Sequence, residues 1–298
     1  MSNTVQAAFT AVNNAIGDTS TAVTGKIQTL DAEVSPLTTV PSALAASRFY
    51  NGLKISCTTA NAVSLTIAAK GLLLSDGSGH YELCQSFLGG ANLGIVGANG
   101  LDTGVLAANT LYALWVVGDG NNNFDSLLSL SATAPVMPSG FSYKIRVGWF
   151  KTDANKNIMP FIQNGADFHF TPIAGSGLTA IPQVGTGEAG DVTVPTWVPI
   201  DLTPWVPSTA VAVTLQVRGL GNAVVMAAPN NGYGAYNDAV NPPPVSYIGQ
   251  GSYQVGLEKL PLESMSIYWA SNAGNPPLAS NTTGPFGSLG VFGWTDSL

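Results

Sequence analysis

Tyr143-Lys144-Ile145-Arg146-Val147-Gly148-Trp149 decides the fold class of this chain. Tyr143, Ile145, Val147 and Trp149 alternate with Lys144, Arg146 and Gly148, a period of two that puts the two sets on opposite faces of a β-strand. The same alternation recurs on both sides. Leu53, Ile55 and Cys57 alternate with Lys54, Ser56 and Thr58, and Val63, Leu65 and Ile67 with Ser64 and Thr66. Further on, Val211, Val213, Leu215 and Val217 alternate with Ala212, Thr214, Gln216 and Arg218, and Met265, Ile267 and Trp269 with Ser266 and Tyr268. Short strands of this kind, parted by Gly, Asn and Pro turns, predict a mainly β chain of antiparallel sandwiches, one face packed and one wet.

The first 37 residues follow another period. Phe9, Ile16, Val23, Leu30 and Leu37 recur every seven residues; Val5 and Val12 add a second heptad position, which Ile27 and Val34 supply one residue late. Two apolar positions per seven is the pattern of a supercoiled helical seam. Gly17, Asp18, Thr19, Ser20, Thr21 and Gly25 are poor helix formers, so the pattern predicts a helix over 3–16, a weak joint, and a second helix over 21–34. Two readings stand side by side: an amphipathic helix folded back on its own domain, or a self-associating, coiled-coil-like stem. The seam of the stem would be Val5, Phe9, Val12, Ile16, Val23, Ile27, Leu30 and Val34.

Pro36 and Pro41 end helical structure, which gives a stem at 1–37 and a linker at 38–47. Two β-sandwich domains follow, at 48–171 and 191–298, joined by a linker-like segment at 172–190 where Gly and Pro thicken and the alternation lapses. Residues 1–171 carry eight basic and ten acidic groups, and residues 172–298 carry two and seven.

Only 10 Lys or Arg and 17 Asp or Glu occur in 298 residues, a net charge of −7. Soluble domains carry roughly 25% charged residues, against 9% here. Ten scattered cations offer no stripe for a phosphate backbone, which excludes nucleic acid as an expected partner. No apolar run approaches the roughly 20 residues that span a bilayer, so membrane insertion is not expected. Met1 to Thr4 has no basic region leading into an apolar one, and the expectation is a chain made in a cytoplasm. Cys57 falls on the apolar phase of its strand; whether it meets Cys84 is open.

Catalytic chemistry needs a base held near a nucleophile or a metal. His80 and His169 are the only histidines; no Gly-x-Ser-x-Gly elbow and no Gly-rich loop of Walker spacing is present. Both histidines are expected to be structural, the chain is expected not to be an enzyme, and no cofactor is expected. Asp102, Glu188, Asp191 and Asp201 are the acids from which a glycoside-cleaving pair would have to come, and nothing singles out a pair. Asp119, Asn121, Asn123 and Asp125 put oxygen ligands at alternate positions, as a hard cation would need. The glycine and terminal glutamate of an EF-hand are missing, however, and the stretch, lying between two strands, reads first as a plain hairpin turn. Asn281-Thr282-Thr283 has the form of a glycosylation acceptor without the context for one. Tyr233, Tyr236 and Tyr247 sit on Asn-, Asp- and Pro-rich loops; such rings could stack on sugars, or cap a sandwich or a subunit contact.

A heptad stem, a linker and charge-poor β-bodies form a plan that resembles the fibre and spike proteins of tailed bacteriophages. NGLDTGVLAANTLYALWVVGDG (99–120), LLSLSATAPVMPSGFSYKIRVGWFKTDANKNI (127–158) and FIQNG (161–165) resemble a domain found repeatedly in phage tail and virion proteins. In that domain a Gly-Leu-Asp-x-Gly turn leads to an aromatic strand, a Leu-Ser strand, a Pro-x-x-Pro-x-Gly-Phe/Tyr turn and an Arg-x-Gly strand. WVPIDLTPWVPSTAVAVTLQV (197–217) and YQVGLEKLPLESMSIYWAS (253–271) resemble the β-module that often follows it. The resemblance implies a homotrimeric virion protein, joined to other virion proteins through its stem and contacting the host surface, bacterial polysaccharide included, with its distal body. The alternative it admits is a capsid decoration or head-fibre protein with a structural or weakly adhesive role. It carries over no catalytic residue.

Overall fold

Alternating apolar side chains can be buried only by pairing strands and laying the resulting sheets on one another, and that is the architecture found. The computed structural model describes residues 7–8, 10–19, 21, 23, 26, 49–248, 254–273 and 286–298. The linker at 38–47, the seam positions Val5, Phe9, Ile27, Leu30 and Val34, and the Asn281 triplet lie outside the described residues.

Residues 10–19 form a helix, α1, on which every described residue is exposed. The expected weak joint is corrected at its first three positions, because Gly17, Asp18 and Thr19 stay helical. Thr19 Oγ1 donates to the Ala15 carbonyl at 2.7 Å and Thr21 Oγ1 to the Gly17 carbonyl at 2.9 Å. The hydroxyls bond back to the preceding turn instead of competing with it. Among the described residues no helix is long and apolar enough to cross a membrane.

The strands are β1 (Tyr50–Asn51), β2 (Lys54–Cys57), β3 (Ser64–Ala69), β4 (Gly71–Ser75), β5 (Tyr81–Cys84), β6 (Phe87–Asn92) and β7 (Gly100–Leu101). Next come β8 (Leu111–Gly118), β9 (Phe124–Ser129), β10 (Tyr143–Lys151), β11 (Phe161–Asn164), β12 (Asp167–Phe170), β13 (Gln183–Thr186) and β14 (Glu188–Ala189). The last are β15 (Val198–Asp201), β16 (Ala210–Leu220), β17 (Val224–Ala228), β18 (Val245–Ile248), β19 (Gln254–Pro261), β20 (Ser266–Asn272) and β21 (Phe286–Asp296).

Among the described residues three sheets result. The first, of seven strands, runs β1-β4-β10-β8-β9-β7 with β5 on β4. The second, of nine, runs β19-β16-β21-β12-β11-β2-β3-β6 with β13 on β21, and the third, of five, runs β14-β20-β17-β18 with β15 on β20. Strand pairs are antiparallel except β7 with β9.

The nine-stranded sheet takes strands from both sides of residues 172–190, and that segment itself supplies β13 and β14. The join is β12 against β21, where Phe168 faces Trp294 with ring centroids 3.7 Å apart. Phe161 and Phe170 stack on and abut Phe168 at 4.8 and 5.0 Å. One hydrophobic core therefore runs from Leu53 to Trp294, with a small second one around Val192, Val224, Met226 and Ala270.

The alternation holds for Leu53, Ile55 and Cys57, for Leu65 and Ile67, and for Val213, Leu215 and Val217, all buried. It fails at three places. Val63 precedes β3 and is 53% exposed. Val211 is half exposed while Ala212 is buried, because a register shift between Ala210 and Ala212 leaves Val211 as the extra residue at the start of β16. In β10 no face is wet: every residue from Ile145 to Lys151 is buried, Arg146 and Lys151 among them.

Candidate functional site

The Asp119 segment is a hairpin turn joining β8 to β9. Asp119 Oδ1 accepts the N–H groups of Asn121 and Asn123 at 2.7 and 3.2 Å, and Asn123 Nδ2 donates to Oδ2 at 2.8 Å. These bonds, the Asn123 amide first, hold the Asp119 carboxyl below its ordinary pKa. Asp125 lies on β9 opposite Val117. A second carboxylate clamps the turn from outside, Glu82 accepting from Gly120 N and Asn122 N, each at 3.0 Å. Glu82 is buried, and its approach requires the missing side chain of Gly118, where a Cβ would stand 2.2 Å from Oε2.

The same device is built twice more. In Asp76-Gly-Ser-Gly-His80, Asp76 Oδ1 accepts from Ser78 N and His80 N at 2.7 and 3.1 Å, and His80 Nδ1 meets Oδ2 at 2.7 Å. In Asp153-Ala-Asn-Lys-Asn157, Asp153 Oδ1 accepts from Asn155 N and Asn157 N, both at 2.8 Å. The fourth residue of each turn, Gly79, Asn122 and Lys156, has positive φ. The signal Asp-x-Ser/Asn-x-His/Asn occurs three times in the chain, and its middle instance is the stretch weighed above as an ion loop or a turn.

The other sequence-singled residues are dispersed among local tasks. Asp102 accepts from Thr103 N at 2.7 Å and from Val136 N at 3.0 Å, tying the Gly-Leu-Asp-x-Gly turn to the start of Pro135-Val-Met-Pro-Ser-Gly-Phe141. Asp191 and Asp201 bond their own turns through Thr193, Val194 and Thr203, whose backbone N–H groups lower both carboxyl pKa values. Glu188 is exposed on β14. His169, on β12, lies against the Phe292 ring at 5.1 Å. Cys57 and Cys84 are buried free thiols whose pKa values burial raises. Among the described residues no group of three or more His, Cys, Asp and Glu side chains is placed to hold an ion.

The three tyrosines do not share one surface task. Tyr236 packs on the small core beside Val192 and Met226, and its N–H donates to the Val192 carbonyl at 3.3 Å. Tyr247 packs on the main core and donates through Oη to Gln254 at 2.9 Å. Tyr233 is half-buried, and its carbonyl accepts from Trp197 Nε1 at 3.0 Å. Asp238 accepts from Val240 N and Asn241 N, so the loop carrying the first two rings is internally bonded.

A cleft on the seven-stranded sheet, which sequence reading missed, gathers Lys, Arg, Tyr, Ser and Thr side chains. Register places Tyr81, Ser75 and Lys144 in one row across β5, β4 and β10, and Arg146 beside Trp115 in the next. These residues and Thr133 line a cleft of about 280 Å³. Arg146 forms its floor: the guanidinium pairs with Asp296 and donates to the Ser297 carbonyl at 2.8 Å. Arg146 Nε is buried without a partner. The signal was present in Lys144 and Arg146, two cations on one face of an otherwise apolar strand. No family model, curated protein or solved structure matches this chain.

Proposed function

We propose that the chain is a structural virion protein of tail-fibre or spike type, self-associating through its N-terminal stem and presenting its β-sheets to a host surface. The observation that carries this reading is α1. Val12 and Ile16 are 57% and 62% exposed, and Val23, seven residues on, is 51% exposed. A helix folded back on its own domain would bury those positions. Apolar positions at heptad spacing, left in solvent by the single chain, are what a seam between copies covers.

The charge-poor surface supports the same reading: the first half of edge strand β19 exposes Val255 and Leu257 and carries no charge, Glu258 and Lys259 guarding only its second half. In this plan the two β-sandwich bodies are the packed sheets on either side of 172–190, sharing the β12–β21 pair, and the copies form a trimer. The test is mass in solution of the full chain and of the Val12→Asp, Ile16→Asp double variant. A trimer that becomes a monomer in the variant is expected; a monomeric full chain would sink the stem. Labelled antibody on particles then separates tail from head, the head-decoration role being the alternative.

A further inference from the structure

We propose that the cleft between β10, β5 and the loop at Ser131 to Thr133 binds one carboxylate-bearing sugar residue. The inference does not rest on the virion reading, because it concerns the isolated chain. Two cations and no carboxylate line the cleft, in a protein of net charge −7. Arg146 is already balanced by Asp296. Lys144, only half-buried, has no carboxylate within ion-pair distance among the described residues, so its charge is available to a ligand.

The remaining lining sets the rest of the ligand. Tyr81 and Trp115 supply aromatic walls, and Ser75 and Thr133 supply hydroxyls. Trp115 is fixed, its Nε1 donating to the Ser131 carbonyl at 3.2 Å, which also holds the loop over the cleft. An apolar, aromatic lining suits the C–H surface of a pyranose, and short hydroxyls match its OH groups. About 280 Å³ lies just below the usual range of small-molecule pockets, which suits a single ring and not a chain. A charge-assisted bond from Lys144 to the carboxylate would supply most of the affinity and the preference over a neutral sugar.

The experiment is titration of the full-length protein with glucuronate, glucose and inorganic phosphate, followed by saturation-transfer NMR and tryptophan fluorescence. Glucuronate is expected to bind in the millimolar range, with salt sensitivity. Glucose is expected to bind about tenfold or more weakly, as is glucuronate to Lys144→Gln, with Lys144→Arg restoring affinity. Unchanged melting temperatures would show that both variants fold. Equal binding of glucose would overturn the role of the carboxylate, and phosphate binding as tightly as glucuronate would overturn the role of the ring. Undiminished binding by Lys144→Gln, or no binding of glucuronate at all, would overturn the site.

Discussion

The central strands of the seven-stranded sheet and strands β2 and β3 of the nine-stranded sheet are built from similar residues but face different surroundings. In β8 and β10 both faces are buried, whereas β2 and β3 bury one face and leave the other to solvent. On the wet face a Ser, Thr or Lys needs no partner but water. Between two packed layers every polar atom must find a protein partner or remain unsatisfied. The polar residues of the first sheet accordingly reach across the molecule: Arg146 to Asp296, Ser126 to the Gly90 carbonyl, Lys151 to the Asn109 carbonyl. These bonds tie the chain's end and its loops to one buried layer.

Asp296→Ala should give the largest effect. It removes the counter-charge of Arg146, which is 3% exposed, and the acceptor of Thr209 Oγ1 at 2.5 Å. Leaving a buried guanidinium uncompensated costs about 3–5 kcal/mol, read from chemical denaturation. A loss under about 1 kcal/mol, the usual value of a surface pair, would break the contrast between the sheets.

Glu82→Ala comes next. Gly120 N and Asn122 N lose their acceptor while the turn stays partly covered, at a cost of about 1–3 kcal/mol. Hydrogen exchange at these two amides should accelerate with little change at Asn155 N and Asn157 N. The turn at Asp153 serves as the internal control, since it uses the same aspartate device without an external clamp.

Lys151→Met tests the buried cation by its pH dependence. Burial lowers the Lys151 pKa from its ordinary value, and Nζ has a carbonyl and the Trp205 ring at 5.1 Å for company. The unfolded chain therefore binds the proton more tightly than the folded one. The penalty of holding the charge is present below the folded pKa and is relieved as pH rises from there toward the unfolded value of about 10.4. At neutral pH the variant should lie within about 1.5 kcal/mol of the natural chain, an unpaired Asn109 carbonyl offsetting the relief of a buried charge. Between pH 7 and 10 the natural chain should gain on the variant; parallel curves would mean that Lys151 is not held against its charge.

The same contrast explains how much could be read from the residues alone. Period-two alternation is a signal of one-sided burial, so it located β2, β3 and β20 well. The run Leu111 to Val117 lacks that signal and is a strand buried on both sides, as continuous apolar runs are. Sequence gave no way to see that β12 meets β21, because the pair is separated by more than a hundred residues and specified by the fit of Phe168 on Trp294. The aspartate turns were legible as turns, being set by local bonds. The Glu82 clamp and the cleft were not, because each depends on register between strands distant in sequence.

The smallest effect belongs to the wet face. Lys259 on β19 pairs with Asp167 on β12 at 3.3 Å, with side chains 54% and 51% exposed. The geometry is that of an ion pair, and by inventory it would rank with Arg146 and Asp296. Water nevertheless solvates both groups whether or not they touch, and holding a lysine in one conformation costs side-chain entropy. Lys259→Ala should therefore cost less than about 1 kcal/mol, and that difference should shrink further in added salt. Asp167 keeps its bond from Thr295 Oγ1 at 2.6 Å, the first cause of its lowered pKa, so its carboxyl stays low without the lysine. A salt-insensitive loss of several kcal/mol would mean that this face is covered, and neighbouring copies of the chain would be the first place to look for the cover.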